Sequence, residues 1–280
     1  MANVSKVEFK RNIKETVSEA ISQIGGFGKF INVGDVVLLK PNFNTADPFP
    51  ASTDFWFLKS VIELIYEAGA KIVLLGDSST ITANTRKVME KLGVFELEKM
   101  ETPPRIYVFE EGSFGLSETD IQKAPIKWIK KDIPSGEYLK SVSLPNLLDK
   151  IDKLILLPCL KTHKYAQFTG ALKLSVGFVK PTDRLGLHFR NLQEKIAELN
   201  TIIRPALVIM DARKCFITEG PASGELREPN LIMASTSRVE IDVEGIKIIQ
   251  SFKGNSLTGI DPWQLPQIKK AVELRIDNSQ

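Results

Sequence analysis

The stretch LILL at residues 154–157 is an unbroken apolar run that ends at Pro158. A run of this length without polar alternation is typical of a parallel strand buried on both faces. LKTHK follows at residues 160–164, and GALK at residues 170–173. In an open α/β sheet, ligands bind at the carboxyl ends of the strands. Three lysines and a histidine therefore emerge where a ligand is expected, which indicates that the protein binds something anionic.

Three further apolar segments predict strands of the same sheet, at residues 35–39, 71–75 and 205–210. A helix predicted over residues 54–68 joins the first two, and a crossover of this kind is right-handed in nearly all proteins. Apolar strands that alternate with helices are typical of parallel sheets. The sequence therefore predicts an α/β fold, with a mostly parallel sheet covered by helices on both faces.

Two parts of the chain do not belong to this alternation of strands and helices. Residues 5–24 place apolar side chains at roughly helical spacing, which predicts one amphipathic helix. Residues 100–145 hold five prolines, mixed charge and two short strand candidates, near residues 106–109 and 138–142. We interpret residues 100–145 as a small irregular or β-rich insertion within a single α/β domain that spans residues 1–280.

The composition excludes several classes of protein. Hydrophobic residues make up 43% of the 280 residues, which is enough for a full core and argues against disorder. The 37 basic and 34 acidic residues leave a net charge of +3, too balanced for a nucleic-acid-binding protein. Residues 1–30 carry scattered charges where a signal peptide has an apolar segment, and no long apolar run occurs. We therefore expect a cytoplasmic protein with neither nucleic acid nor membrane as a partner.

The two cysteines, Cys159 and Cys215, do not form a CxxC pair. Two cysteines cannot supply the four ligands of an ordinary iron–sulfur cluster or of a Cys₄ zinc site. No H-E-x-x-H sequence occurs either. We therefore expect no intrinsic iron–sulfur cluster, and no metal site is indicated by a motif.

Four of the predicted strands end in polar residues. KPN stands at residues 40–42, GDSS at residues 76–79, LKTH at residues 160–163, and Asp211 closes the last strand. The carboxyl ends of parallel strands share one edge of a sheet, so these residues should converge there. Lysines are compact point charges that suit a phosphate or a carboxylate, and amide or hydroxyl groups can orient it. The predicted ligand-binding residues are Lys40, Asn42, Ser78, Ser79, Lys161, Lys173 and His188.

His163 is the predicted proton-transfer residue, assisted by Asp77 or Asp211. Nearby cations such as Lys161 lower the pKa of a histidine by like-charge repulsion, so His163 would be neutral and ready as a base or a ligand. Each residue also has a structural alternative. His163 could bond a loop carbonyl, Asp77 could cap a turn, and Asp211 could form an ion pair.

Lys173 is predicted near the first turn of a helix, where the helix dipole disfavours a cation. An anion bound at that helix end would meet both the backbone N–H groups and the lysine. This expectation places part of the anion site on the backbone.

As an ordered set, these motifs resemble the domain of unknown function 362 family. The matching elements are VVLLKPN at residues 36–42, GDSS at 76–79, LKTH at 160–163, TGALK at 169–173, and His188. The resemblance covers about residues 33–250 and implies an α/β fold rather than a particular activity. Many members of the family resemble iron–sulfur proteins through attached ferredoxin-type cysteine repeats. This chain has no such repeat, so the resemblance implies no cluster here.

Three functions remain open from the sequence. The leading hypothesis is an enzyme that binds a small phosphate- or carboxylate-bearing metabolite at this edge of the sheet. The family resemblance implies an alternative, a redox or maturation accessory that acts with an iron–sulfur or redox protein partner. The third is a binding protein without catalysis.

Overall fold

The computed structural model describes residues 4–113 and 126–277. Its strands are β1 (Ser5–Glu8), β2 (Val36–Lys40), β3 (Ile72–Asp77), β4 (Arg105–Val108), β5 (Gly112–Ser113), β6 (Trp128–Asp132), β7 (Ser141–Pro145), β8 (Lys153–Leu156), β9 (Cys159–His163), β10 (Gln167–Thr169), β11 (Leu207–Phe216), β12 (Leu226–Arg227) and β13 (Leu231–Ser235). Its α-helices are α1 (Ile13–Ser22), α2 (Phe55–Glu67), α3 (Thr85–Lys91), α4 (Ala171–Leu174), α5 (Pro181–His188), α6 (Leu192–Leu199), α7 (Arg238–Gln250) and α8 (Pro266–Glu273).

The main sheet has the strand order β1-β13-β11-β8-β2-β3-β4-β5. Its centre, from β11 to β4, is parallel, and the strands at its two edges are antiparallel to their neighbours. The carboxyl ends of β2, β3 and β8 therefore lie along one edge of the sheet. No described helix combines the length and the apolar character that crossing a bilayer demands.

The two faces of this sheet carry separate hydrophobic clusters. On β2, Leu38 packs into one cluster, whereas Val37 and Leu39 pack into the other. The first cluster also contains buried side chains of α6, α7 and α8, and the second contains those of α1 and α2. Side chains alternate between the faces of a strand, so a strand that is apolar throughout needs helices on both sides. The predicted fold class is confirmed.

Two strands continue past the edge of the parallel sheet. The strand predicted at residues 154–157 ends before Pro158, as the sequence indicates, but the chain does not leave the core there, because it resumes as the buried strand β9. This strand stays parallel to β11, with Cys159 beside Asp211. The carbonyl of Pro158 accepts a hydrogen bond from the Asp211 N–H at 3.1 Å, so proline removes a donor without ending the pairing. The strand predicted at residues 205–210 and closed by Asp211 runs on to Phe216, because it continues to pair with β9.

Beyond that edge, β9 and β10 form an antiparallel hairpin. Lys161 lies opposite Thr169, and His163 lies opposite Gln167. The two predicted site residues of this segment are therefore held on a strand, not on the loop that the sequence suggests. We call this hairpin, residues 159–169, the β9 platform.

Residues 5–24 do not form one helix, which corrects the prediction. β1 pairs with β13 at the edge of the sheet, with Val7 beside Ile232. Burial alternates along β1, so its apolar spacing has the period of a strand. The helix α1 begins only after Asn12, whose side-chain oxygen accepts a hydrogen bond from the Glu15 N–H at 3.2 Å.

Residues 100–145 divide between two sheets. β4 extends the main sheet beside β3, whereas β6 and β7 form a separate two-stranded sheet. Residues 114–125, part of the predicted insertion, lie outside the described residues. The buried carboxylate of Glu198 on α6 accepts hydrogen bonds from the backbone N–H groups of residues 137–139, at 2.7 to 3.2 Å. Glu198 thereby attaches the loop between β6 and β7 to the helical layer.

Replacing Glu198 by alanine should destabilise the fold by about 3 kcal/mol, because three backbone N–H groups lose a charged acceptor. Glu198→Gln should cost less, since its amide oxygen can still accept. Urea unfolding followed by circular dichroism measures both changes. Glu194→Ala is the control, because Glu194 is only partly buried on the same helix and should cost under about 0.5 kcal/mol. Equal losses in the two alanine variants would contradict this role of Glu198.

Candidate functional site

A cavity of about 420 Å³ opens at the carboxyl edge of the parallel strands. The ends of β2 and β3, the β9 platform, and the segment from α4 to α5 enclose it. Most of the predicted site residues line this cavity: Lys40, Asn42, Asp77, Ser78, Lys161, His163, Lys173 and His188. The topology thus brings together residues from four separate parts of the chain.

Two predicted site residues do not line the cavity. The hydroxyl of Ser79 donates to the carbonyl of Phe43 at 2.6 Å and so holds the loop behind the cavity wall. Asp211 is fully buried on β11 and accepts hydrogen bonds from the Arg213 side chain at 2.9 and 2.7 Å. Arg213 also contacts Asp54 at 2.8 Å. Burial raises the pKa of Asp211, and the hydrogen bonds from Arg213 oppose that rise.

Lys40 and Asp77 form a buried ion pair at the base of the cavity, with 2.5 Å between Nζ and Oδ1. The carboxylate of Asp77 also accepts the backbone N–H groups of Phe43 and Ser78, each at 2.7 Å. The ammonium of Lys40 also donates to the carbonyl of Pro41 at 2.7 Å. Burial lowers the pKa of Lys40, and the charge of Asp77 opposes that shift. The pair therefore joins the ends of β2 and β3 and adds no net charge to the cavity.

Lys161 and Lys173 supply positive charge to the cavity, and neither forms an ion pair with a carboxylate of the described residues. Lys161 is fully buried, and its ammonium donates to the backbone carbonyls of Pro50 (3.3 Å) and Ala51. Lys173 is partly exposed, and its ammonium has neither a hydrogen-bond acceptor nor an ion-pair partner in the described part of the chain. Burial lowers the pKa of Lys161 to about 8, and burial together with the charges of Lys161 and Arg184 lowers the pKa of Lys173 to about 8.

The two histidines offer opposite groups to the cavity. His163 Nδ1 accepts hydrogen bonds from the backbone N–H groups of Tyr165 and Ala166, both at 3.1 Å. This network assigns the ring proton to Nε2, which is left as a donor. His188 Nδ1 instead contacts the carbonyl of Arg184 at 2.8 Å, which makes Nδ1 the donor and leaves Nε2 with a free lone pair.

Burial, together with Lys173 and Lys161, lowers the pKa of His163 to about 2. The predicted neutral state agrees with this shift. A nitrogen with so low a pKa is a weak base, and Nδ1 already accepts two hydrogen bonds. His163 therefore suits hydrogen-bond donation to a ligand better than proton abstraction.

The anion site predicted at the helix N-terminus near Lys173 is wrong. α4 has only four residues, and its first N–H groups donate to the carboxylate of Asp242 on α7. The distances are 2.6 Å from Ala171 and 3.0 Å from Leu172. A Cβ at Gly170 would lie 2.2 Å from Asp242 Oδ1, so this approach requires glycine. An anion in the cavity would therefore meet side chains rather than this helix end.

Three further residues that were not predicted contribute to the site. Arg184 donates to the carbonyls of Val179 (2.7 Å), Ser78 (3.1 Å), Gly177 (3.3 Å) and Ser79, and so joins α5 to the loop after β3. Glu110 accepts the hydroxyl hydrogen bond of Ser78. Thr169 Oγ1 is buried on the cavity wall without a hydrogen-bond partner among the residues described. Of the three, only Thr169 had a sequence signal, a polar residue before Gly170 and Lys173.

In the described ranges, no group of three or more His, Cys, Asp or Glu residues is placed to hold a metal ion. Cys159 and Cys215 are buried, and burial raises the pKa of each thiol to about 12. Both are neutral thiols near pH 7 and are therefore poor nucleophiles and metal ligands.

Gly177 packs directly against the ion pair at the base of the cavity. A Cβ there would lie 2.6 Å from Lys40 Nζ and 2.8 Å from Asp77 Oδ1. Gly177→Ala should separate the pair and lower the free energy of unfolding by about 3 kcal/mol, as breaking a buried ion pair does. Gly186→Ala on α5 is the control, because open space surrounds it and alanine favours a helix by up to ~1 kcal/mol. Thermal unfolding compares them, and a Gly177→Ala variant as stable as the parent would refute the close contact.

Comparison with known proteins gives relatives over most of the chain. It is 28% identical over 255 residues to a thylakoid-associated protein of Synechocystis sp., which covers 88% of this chain and 70% of the relative. Among solved structures, the lactate racemase apoprotein of Thermoanaerobacterium thermosaccharolyticum aligns over 88% of this chain with a TM-score of 0.50 and 11% identity. A structural-genomics protein from Thermotoga maritima aligns over 93% with a TM-score of 0.46 and 11% identity.

This chain spans 63% of the racemase chain and 58% of the Thermotoga chain, less than two thirds of either. At 11% identity, the likeness to the racemase concerns the fold alone, and its α/β architecture agrees with the parallel sheet described above. The family model of the Domain of unknown function (DUF362) matches residues 37–247, which contain all of the residues that line the cavity. The chain belongs to the DUF362 family.

Proposed function

We propose that the cavity binds a small molecule bearing a carboxylate or a phosphate, and that the protein is an enzyme acting on it. The observation that carries this proposal is the pair of uncompensated lysines, Lys161 and Lys173. Both line a cavity in which the charges of Lys40 and Asp77 neutralise each other, and in which the buried Arg184 is bonded to backbone carbonyls.

Keeping these two lysines at the cavity costs stability. A desolvated cation without a counter-charge is unfavourable, and the pKa of about 8 for each lysine reflects that cost. An anion bound between them would supply the missing charge. Side chains with strongly shifted pKa values in a cleft are found at functional sites more often than elsewhere, which supports the proposal.

Neutral hydrogen-bond donors stand beside the two lysines. His163 offers Nε2–H, Thr169 offers a hydroxyl without another partner, and Asn42 adds a side-chain amide. Donors of this kind give an oxyanion fixed directions in addition to charge. Together they fit an oxygen-rich anionic group better than a halide or a neutral ligand.

Lys173 also suits the proton-transfer role that the sequence gave to His163. A pKa of about 8 lies close to physiological pH, so Lys173 can both hold and release a proton there. His188 Nε2, with its free lone pair, is a second group that can accept one. Asp211 has no part in this proposal, because it lies outside the cavity lining and pairs with Arg213.

Two further points stay predictions from the sequence. A cytoplasmic location is supported by the composition, and interaction with an iron–sulfur or redox protein is supported by the family resemblance alone. The buried thiols of Cys159 and Cys215 add no observation that favours the redox alternative over anion binding.

Lys173→Met tests the anion site directly. Affinity for sulfate or acetate, measured by calorimetric titration, should fall roughly tenfold to a hundredfold, because one charged hydrogen bond is lost. The melting temperature should stay equal or rise, since the variant removes a desolvated cation that has no partner. Lys164→Met is the control, because Lys164 is exposed and outside the cavity lining. Unchanged affinity in Lys173→Met would overturn the proposal.

Anion affinity should also fall above pH 8. Both lysines are protonated below their pKa of about 8, so the affinity for an anion is highest at lower pH. That affinity falls as the pH rises through about 8 and the lysines lose their charge. At pH 9 the deprotonation of each lysine should weaken binding by roughly tenfold relative to pH 7, whereas an ordinary lysine stays charged to about pH 10. Sulfate is the suitable probe because its own charge does not change over this range. Affinity that is constant from pH 7 to pH 10 would contradict the lowered pKa values.

A further inference from the structure

We propose that the ligand is amphiphilic, with its anionic group at the buried end of the cavity and an apolar body at the mouth. This inference rests on the proposed function, because the two lysines define which end holds the anion. The apolar body of the ligand is inferred from the apolar side chains that line the same cavity.

The cavity changes character with depth. Its buried end holds Lys161, which has no exposed surface. Its mouth is formed by Ile81, Tyr165 and Leu185, which are 39%, 73% and 65% exposed. Leu174 and Val176, which are both buried, also line the cavity. The apolar part of the lining therefore includes both buried and exposed side chains.

The three residues of the mouth come from separate parts of the fold. Ile81 lies in the loop after β3, Tyr165 at the turn of the β9 platform, and Leu185 on the outer face of α5. Single exposed apolar residues are common on protein surfaces and need no explanation. Three that line the same charged cavity are more informative. A ligand that extends from the cavity toward the solvent could pack its apolar body against these side chains.

The volume of the cavity agrees with a ligand larger than a bare anion. About 420 Å³ falls within the range of roughly 300–1,000 Å³ that is typical of small-molecule sites. A sulfate or an acetate would contact the lysines and leave the wall of Leu174 and Val176 uncovered. An apolar body attached to the anion would cover that wall and remove it from water, which favours binding.

The test uses the whole protein and two series of probes with a constant head group. The first series is acetate, butanoate, hexanoate and phenylacetate, and the second is methyl, butyl and hexyl phosphate. Each added methylene should tighten the Kd about fourfold until the wall is covered, after which the gain should stop. The carboxylate and phosphate series together distinguish the head group from the apolar body.

Leu185→Ser and Tyr165→Ser should remove most of the gain for hexanoate and leave the affinity for acetate unchanged. Both residues are exposed, so the substitutions should not unfold the chain. Val272→Ser on α8 is the matched control, because Val272 is 42% exposed and lies outside the cavity lining. It should alter neither affinity.

The outcomes separate this inference from the proposed function. If acetate and hexanoate bind equally, or if Leu185→Ser and Tyr165→Ser lose nothing with hexanoate, the apolar body is refuted while anion binding stands. If no probe of either series binds, or if Lys173→Met binds acetate and methyl phosphate as tightly as the parent, the proposed function fails and this inference fails with it. Chain-length dependence that disappears in both mouth variants, but persists in Val272→Ser, supports the assignment.

Discussion

The architecture of the cavity depends on one buried ion pair, between Lys40 and Asp77. The pair joins the ends of two adjacent parallel strands, and its remaining hydrogen bonds hold the backbone of the loops that follow them. Gly177 closes against it from the helical layer. Because the charges of Lys40 and Asp77 neutralise each other, the pair shapes the base of the cavity and does not itself attract a charged ligand. Among the described lysines of the wall, Lys161 and Lys173 are therefore the two whose charge remains available to a ligand.

The position of Lys161 follows from the length of β11. A parallel sheet normally offers ligands only its loops, but β11 continues beyond the sheet and gives the β9 platform a strand to pair with. The platform carries Lys161 and His163 on paired backbone, which restricts their motion more than a loop would. Arg184 secures the opposite wall through hydrogen bonds to backbone carbonyls.

The convergence of site residues was predictable because it depends on topology, whereas the state of each residue was not. Apolar runs predicted the parallel strands, and the shared edge of parallel strands brought Lys40 and Lys161 to one cavity. The tautomer of His163 depends on two backbone N–H groups in a tight turn. The end of α4 is occupied by Asp242, about seventy residues away along the chain. Arg213, the partner of Asp211, is likewise positioned by the continuation of β11 beyond Asp211, where the sequence predicts that the strand ends. Such contacts leave no periodic signal in a sequence.

The two buried thiols have a practical consequence. Cys159 begins the β9 platform, and its sulfur is both inaccessible and protonated at neutral pH. Alkylating reagents attack the thiolate of an accessible cysteine, so the folded chain should resist them. Any slow labelling of Cys159 would then measure how often this part of the molecule opens, since local opening exposes buried groups before global unfolding does. The rate at which Cys159 is labelled would therefore report how often the β9 platform, and with it the candidate site, opens locally.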